Sequence, residues 1–231
     1  MKSQKETIAP PAAHGRWYDD ACGTAFGMEL LGERWSLLIV RELIFGPRRF
    51  SDLRAELPGI SAKILTERLA GLEASGIVTR STAPAPTPAR LYGLTAWGMA
   101  AEPIIQELGR WAAASPQHDP TLPLSAASMM MSLRTMLDRP AAAGLALSCN
   151  FAIGHATFTA RLEDGALSIR RGTSEGAELS FTAPDAPALA AVIYGGVPPE
   201  AVGVTAMGEA ALRQRFIDLF NLPPKVGVPA G

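Results

Sequence analysis

At 231 residues with 48% of them apolar, the chain can bury a substantial core, and the usual domain size of roughly 100 to 150 residues makes two domains the expectation. A net charge of −1 argues against a uniformly basic coat for nucleic acid, so any such binding has to come from a local basic surface. The two cysteines and three histidines match no zinc spacing, no apolar run reaches the roughly 18 to 20 residues of a membrane span, and the start MKSQKETIAPPAAHG lacks the apolar stretch of a signal peptide; no metal, no cofactor and a cytoplasmic location are expected.

Residues 1–15 read as a disordered N-terminus and 16–114 as a first module. Trp35 to Ile44 is apolar almost all round, with Arg34, Arg41 and Glu42 its only charges, which suits a helix packed between other elements and ended by Gly46-Pro47. Ser51 is placed to cap a short helix with Leu53 and Leu57 on one face and Asp52 in its first turn. Pro58-Gly59 makes a turn. The next helix carries signals at both ends: Ser61 as N-cap, Ile60 and Leu65 as a hydrophobic staple, and Gly76 past its end with Leu72 and Ile77 spaced for a Schellman contact.

Leu65, Leu69 and Leu72 form the buried stripe of that helix, so Lys63, Thr66, Glu67 and Ala70 point outward. A face of short and medium polar side chains lets a helix approach base edges in the major groove. By itself such a face is an ordinary solvated surface; its setting changes the reading. Ile77 to Thr82 and Ala89 to Leu94 read as two strands joined by the proline-rich tip APAPTP, a wing beside the helix, flanked by Arg80 and Arg90, each a phosphate ligand or a surface ion-pair partner. Between Gly46 and Arg90, seven basic residues stand against four acidic ones, a modest excess that predicts weak non-specific affinity and a dimer doubling the phosphate contacts.

The ordered pattern Cys22, Gly32, Arg34-Trp35, Leu37-Leu38, Arg41-Glu42-Leu43, Arg48-Arg49-Phe50, Leu53, Pro58-Gly59-Ile60-Ser61, Leu65, Arg68-Leu69, Leu72, Gly76, Arg90, Tyr92 and Leu94-Thr95 resembles the HxlR-type winged helix-turn-helix regulators. The resemblance implies a bacterial transcription regulator that binds double-stranded DNA as a homodimer, with Arg48, Arg49, Ser61, Lys63, Thr66, Glu67 and Arg90 as the DNA-binding set. The wing departs from the family's usual form, since Ala83 to Pro88 holds no charge and Leu91 stands where an acidic residue is common. Thr95 caps a last helix whose Trp97, Ala101, Ile104, Leu108 and Trp111 recur at helical spacing; this apolar stripe and the resemblance favour a two-fold interface with the same helix of a second chain. Cys22 falls where family members place a redox-sensing thiol, although Asp19 and Asp20 beside it are expected to disfavour a thiolate.

Residues 115–123 read as a linker and 124–224 as a second module, followed by a tail, 225–231. Ser125 to Asp138 is a methionine-rich helix, HATFTARL and ALSIRR alternate as strands around an Asp164-Gly165 turn, Glu178 to Thr182 adds a strand, Asp185 caps a helix through Tyr194, VGVTAMG is a further strand, and Leu212, Phe216 and Leu219 line one face of the closing helix. The fold class is therefore α+β, a winged helix-turn-helix followed by a smaller antiparallel sheet with helices on one face. ELSFTAPDAPALAAVIYGG and VTAMGEAALRQRFIDLFNLP, with Gly208, Glu209, Leu212, Phe216, Phe220 and Leu222-Pro223 in the pattern, resemble the sterol carrier protein type 2 fold. That implies an apolar small-molecule effector bound among Met130, Phe151, Phe158, Phe181, Ile193 and Phe216. The alternative is a lipid carrier or protein-interaction factor whose winged helix does not bind DNA. An enzyme is not expected, because no nucleophile elbow, phosphate loop or metal spacing is present, and His155 reads as a sheet residue.

Overall fold

In the computed structural model, which describes residues 18 to 83 and 89 to 227, the chain divides into two units, the first holding the described residues up to Leu43 together with Pro47–Ala100. The expected N-terminus 1–15, most of the wing tip and the end of the tail lie outside the described residues. Helix α1 (Gly23–Leu31) starts from Cys22 as N-cap and buries none of its side chains. Helix α2 (Ser36–Leu43) buries Ile39, Val40, Leu43 and also Glu42, whose carboxylate accepts from the neighbouring Arg41 guanidinium at 2.9 and 3.2 Å. Trp35, just before α2, has φ +82°, a left-handed conformation that costs a bulky residue roughly 1–3 kcal/mol.

Strand β1 (Arg48–Arg49) is followed at once by α3 (Phe50–Glu56). The N-cap of α3 is Arg49, not Ser51 as expected. The reason lies across the sheet: Arg49 pairs with Leu91 and is held extended until the ladder ends, so the helix starts directly after it. Helix α4 (Ala62–Ala74) is bounded as its sequence indicates. The Ser61 hydroxyl accepts from the Ile64 N–H at 3.2 Å, and Ile77 N–H to Leu72 C=O (2.9 Å) with Gly76 N–H to Glu73 C=O (3.0 Å) completes a Schellman end at Gly76, φ +72°. Strands β2 (Val78–Thr82) and β3 (Arg90–Leu94) pair from Val78↔Leu94 to Thr82↔Arg90, and β1 adds to the other edge of β3. Thr95 then does two jobs, donating to the Gly76 carbonyl at 2.7 Å and accepting from the Gly98 N–H at 3.0 Å to cap α5 (Ala96–Met99). A Cβ on Gly98 would stand 2.2 Å from the Ile77 carbonyl oxygen, so only glycine permits this approach.

The last helix of the first module is not continuous. It breaks after α5, and α6 (Glu102–Ala113) begins with Pro103 in its first turn. Proline has no N–H to donate to the carbonyl four residues back and its ring clashes there, so a helix running on from Met99 is excluded. The two units divide here as well, between Ala100 and Ala101, with Ile44–Gly46 joining the second.

Within the second unit, α6 is fastened at both ends. Arg134 on α7 (Ala126–Met136) pairs with Glu102 and donates to the Ile169 carbonyl at 2.9 Å, while the Lys225 ammonium donates to the Ala113 and Ser115 carbonyls at 2.9 and 3.0 Å, a cation at the negative end of the helix. Strands β4 (Leu147–Ile153), β5 (Ala156–Glu163), β6 (Ala166–Arg171) and β7 (Leu179–Ala183), then α8 (Ala186–Gly195), β8 (Thr205–Met207) and α9 (Ala210–Ile217), complete it. Asp164 and Gly165 join β5 to β6 with φ of +51° and +71°, as a two-residue type I′ turn requires. His155 sits in the turn between β4 and β5.

The sheet order is β6-β5-β4-β7-β8, and the β4–β7 pair is parallel. The expectation of a smaller, purely antiparallel sheet is thus corrected: five strands against three in the first unit, with one parallel pair. The crossover 172–178 makes this possible by returning the chain to β4, where the Asn150 amide exchanges bonds with the Ser174 backbone at 2.9 and 3.1 Å and the Thr159 and Ser174 hydroxyls meet at 2.9 Å. On the opposite face of β4, Leu147, Cys149, Phe151 and Ile153 are buried in the core.

Candidate nucleic-acid interface

Leu65, Leu69 and Leu72 anchor α4 in the core at 2% exposure or less; each such side chain contributes roughly 1.5–3 kcal/mol on burial. The anchoring turns the opposite face outward. Lys63 is 84% exposed and lies 3.9 Å from the half-exposed Glu67, a loose surface pair. Thr66 is exposed, and its hydroxyl donates back to the Ala62 carbonyl at 2.9 Å. Ser61, also exposed, spends its hydroxyl on the cap.

The other cations of the sequence-derived set are placed unequally. Arg48 is largely covered, at 19% side-chain exposure and 4.0 Å from Asp52, while Arg49 and Arg90 are exposed on β1 and at the start of β3. Arg80 is committed elsewhere, paired with Glu73 and 5.9 Å from the Tyr92 ring. Arg68 stands outside that set, yet it ties α4 to the turn before α2, bonding Glu33 at 2.8 Å and the Arg34 carbonyl at 3.1 Å. No local signal reveals that tie, because its partners lie more than thirty residues away.

Cys22 is exposed at the N-terminus of α1. The backbone N–H groups of Thr24 and Ala25, with the Thr24 side chain, hold its thiol below the ordinary cysteine value. The direction is opposite to the one Asp19 and Asp20 suggest: Asp20 accepts from the Cys22 N–H at 2.9 Å, and the donors at the helix start favour the thiolate.

The expected dimerisation residues divide. On α6, Ile104, Leu108 and Trp111 are 57%, 46% and 76% exposed, and on α5 Trp97 is 53% exposed. Ala101 differs, being 7% exposed at the N-cap of α6. The six effector-site candidates Met130, Phe151, Phe158, Phe181, Ile193 and Phe216 all lie inside the second unit at 4% exposure or less. Phe151, Phe181 and Phe216 have ring centroids 5.7 to 6.3 Å apart, and the Arg171 guanidinium lies 4.8 Å from the Phe158 ring.

Helices α2 to α4, with α4 projecting a polar face, followed by the β2–β3 hairpin, define a winged helix-turn-helix protein. The chain belongs to the HxlR-like helix-turn-helix family, whose model matches residues 30–119. YvaP of Bacillus subtilis strain 168, named an uncharacterized HTH-type transcriptional regulator, is 44% identical over 86 residues, 37% of this chain and 79% of YvaP. The HTH-type transcriptional regulator YodB of the same organism is 42% identical over 83 residues, 36% of this chain and 74% of YodB. Among solved structures, the redox regulator HypR in its oxidized form is 31% identical, covering 42% of this chain and all of HypR's, with a TM-score of 0.39. These relatives are named as regulators, not enzymes. Residues from 120 onward lie beyond the family match.

Proposed function

We propose that this protein is a transcription regulator that binds operator DNA as a homodimer, with α4 in the major groove and the β2–β3 wing alongside, and that an apolar small molecule in the second unit modulates it. The outward face of α4 carries the reading: Lys63 and Thr66 stand exposed on a helix fixed from behind by three buried leucines. Arg48, Arg49, Ser61, Glu67 and Arg90 complete the DNA-binding set. Trp97, Ile104, Leu108 and Trp111 support the dimer. The effector role of Met130, Phe151, Phe158, Phe181, Ile193 and Phe216 requires the second unit to open around a ligand, and a ligand acts only through unequal affinity for DNA-competent and incompetent dimers. Cys22, with its lowered thiol, is the redox position.

The deciding experiment compares the wild type with Lys63→Ala and Thr66→Ala on duplexes selected by the wild type from a random library. Each variant should lose about tenfold in specific affinity, from a contact contributing roughly 1–3 kcal/mol, with its unfolding midpoint unchanged. Failure of the wild type to enrich any sequence would refute operator binding.

A further inference from the structure

Of the basic side chains described in the first unit, five already meet a carboxylate: Arg41 with Glu42, Arg48 with Asp52, Lys63 with Glu67, Arg68 with Glu33 and Arg80 with Glu73. Arg34, Arg49, Arg54 and Arg90 make no ion pair among the described residues. A duplex is attracted by the positive charge that a protein's own acids leave uncompensated. Among these four, Arg34 is distinguished by how firmly it is held.

Its exposed guanidinium lies 5.2 Å from the centroid of the Trp35 ring. Its backbone is fixed by α4 itself, because the Arg68 Nε donates to the Arg34 carbonyl at 3.1 Å while the Arg68 guanidinium grips Glu33 at 2.8 Å. The Trp35 ring in turn reaches the turn that launches α4: its Cη2 is 3.8 Å from where a Cβ on Gly59 would stand, two residues before the Ser61 cap. Trp35 adopts its left-handed backbone, φ +82°, at this junction. Strained conformations persist where their surroundings over-determine them, and they gather at ligand clamps. A guanidinium held near an aromatic ring by cation–π attraction still has N–H groups to offer a phosphate, which an arginine can meet with two parallel hydrogen bonds.

We propose that Arg34 is a DNA-backbone contact that binds a phosphate beside the groove entered by α4, with Trp35 and Arg68 as its positioning residues. The proposal rests on the DNA-binding reading and adds a residue outside its contact set. Phosphate contacts carry no sequence information, so the test needs no operator. A fluorescent mixed-sequence duplex of about 30 base pairs is titrated with wild type, Arg34→Gln and Arg34→Lys between about 50 and 200 mM salt. Arg34→Gln should lower the slope of log affinity against log salt by about 0.9 for each phosphate no longer neutralised, whereas Arg34→Lys, which keeps the charge, should retain most of it.

Thermal unfolding of each variant separates this from a structural role. An unchanged slope in Arg34→Gln beside normal wild-type binding overturns the Arg34 contact and leaves the DNA reading intact. If Arg34→Gln does not fold, a folded Arg34→Ala is titrated in its place: a slope lowered by about 0.9 supports the contact and an unchanged slope overturns it. Absence of wild-type binding to the duplex overturns both.

Discussion

The two thiols of this chain sit in opposite environments. Cys22 is exposed and held below its ordinary pKa by the N–H groups of Thr24 and Ala25, whereas burial in β4 pushes Cys149 far above it. Only the thiolate reacts, so alkylation by iodoacetamide at rising pH should reach Cys22 with a midpoint below the ordinary value of about 8.5, while Cys149 stays unmodified until the protein unfolds. Peptide mass spectrometry reads both sites, and a Cys22 midpoint at or above that value would contradict the helix-start effect. The sign carries over to stability. A pKa depressed by folding means the ionised group favours the native state above the unfolded pKa, and this contribution disappears as pH falls through the folded one.

At the scale of the element, α4 and the crossover 172–178 show what a sequence can and cannot reveal. The ends of α4 are local events: Ser61→Ala removes the acceptor for the Ile64 N–H and should cost about 1 kcal/mol in chemical denaturation, without altering the far side of the molecule. Asn150→Ala removes both bonds to the Ser174 backbone and the one from its hydroxyl and should cost more, roughly 1–3 kcal/mol, because the partner groups lose their place on the sheet; a cost near zero would mean the crossover is held by other contacts. The caps of α4, its buried leucines and the outward Lys63 and Thr66 were legible because they depend on neighbours within one or two helical turns. Strand β1 was not, since two arginines become a strand only when β3 lies beside them. Strand β4 was not either: its Ser148, Cys149 and Asn150 have weak strand preference, and its parallel pairing with β7 arises about thirty residues away. Pro103 did signal the α5–α6 break, but the apolar period on both sides of it outweighed that signal. The ties of Arg68 to Glu33 and of Arg80 to Glu73 decide which cations remain for DNA, and both join different elements.

For the molecule as a whole, a net charge of −1 means that long-range attraction would contribute little to the proposed DNA affinity, which would rest on local cations of the first unit. On the proposed reading, two copies would double the phosphate contacts of one and with them the salt slope. The surface suited to joining them is the outer face of α6, where Ile104, Leu108 and Trp111 recur at i, i+4 and i+7 and remain exposed. The inner side of that helix is fastened to its own unit through Glu102 and Lys225, so charges placed on the outer face should spare the fold. Ile104→Glu with Leu108→Glu is therefore expected to shift the mass measured by light scattering from dimer to monomer, keep the unfolding midpoint within a few degrees and reduce the slope of log affinity against log salt to about half. A wild type that is monomeric yet binds with the full slope, or a double variant that stays dimeric, would place the subunit contact on another surface and leave the α6 stripe without a role in DNA binding.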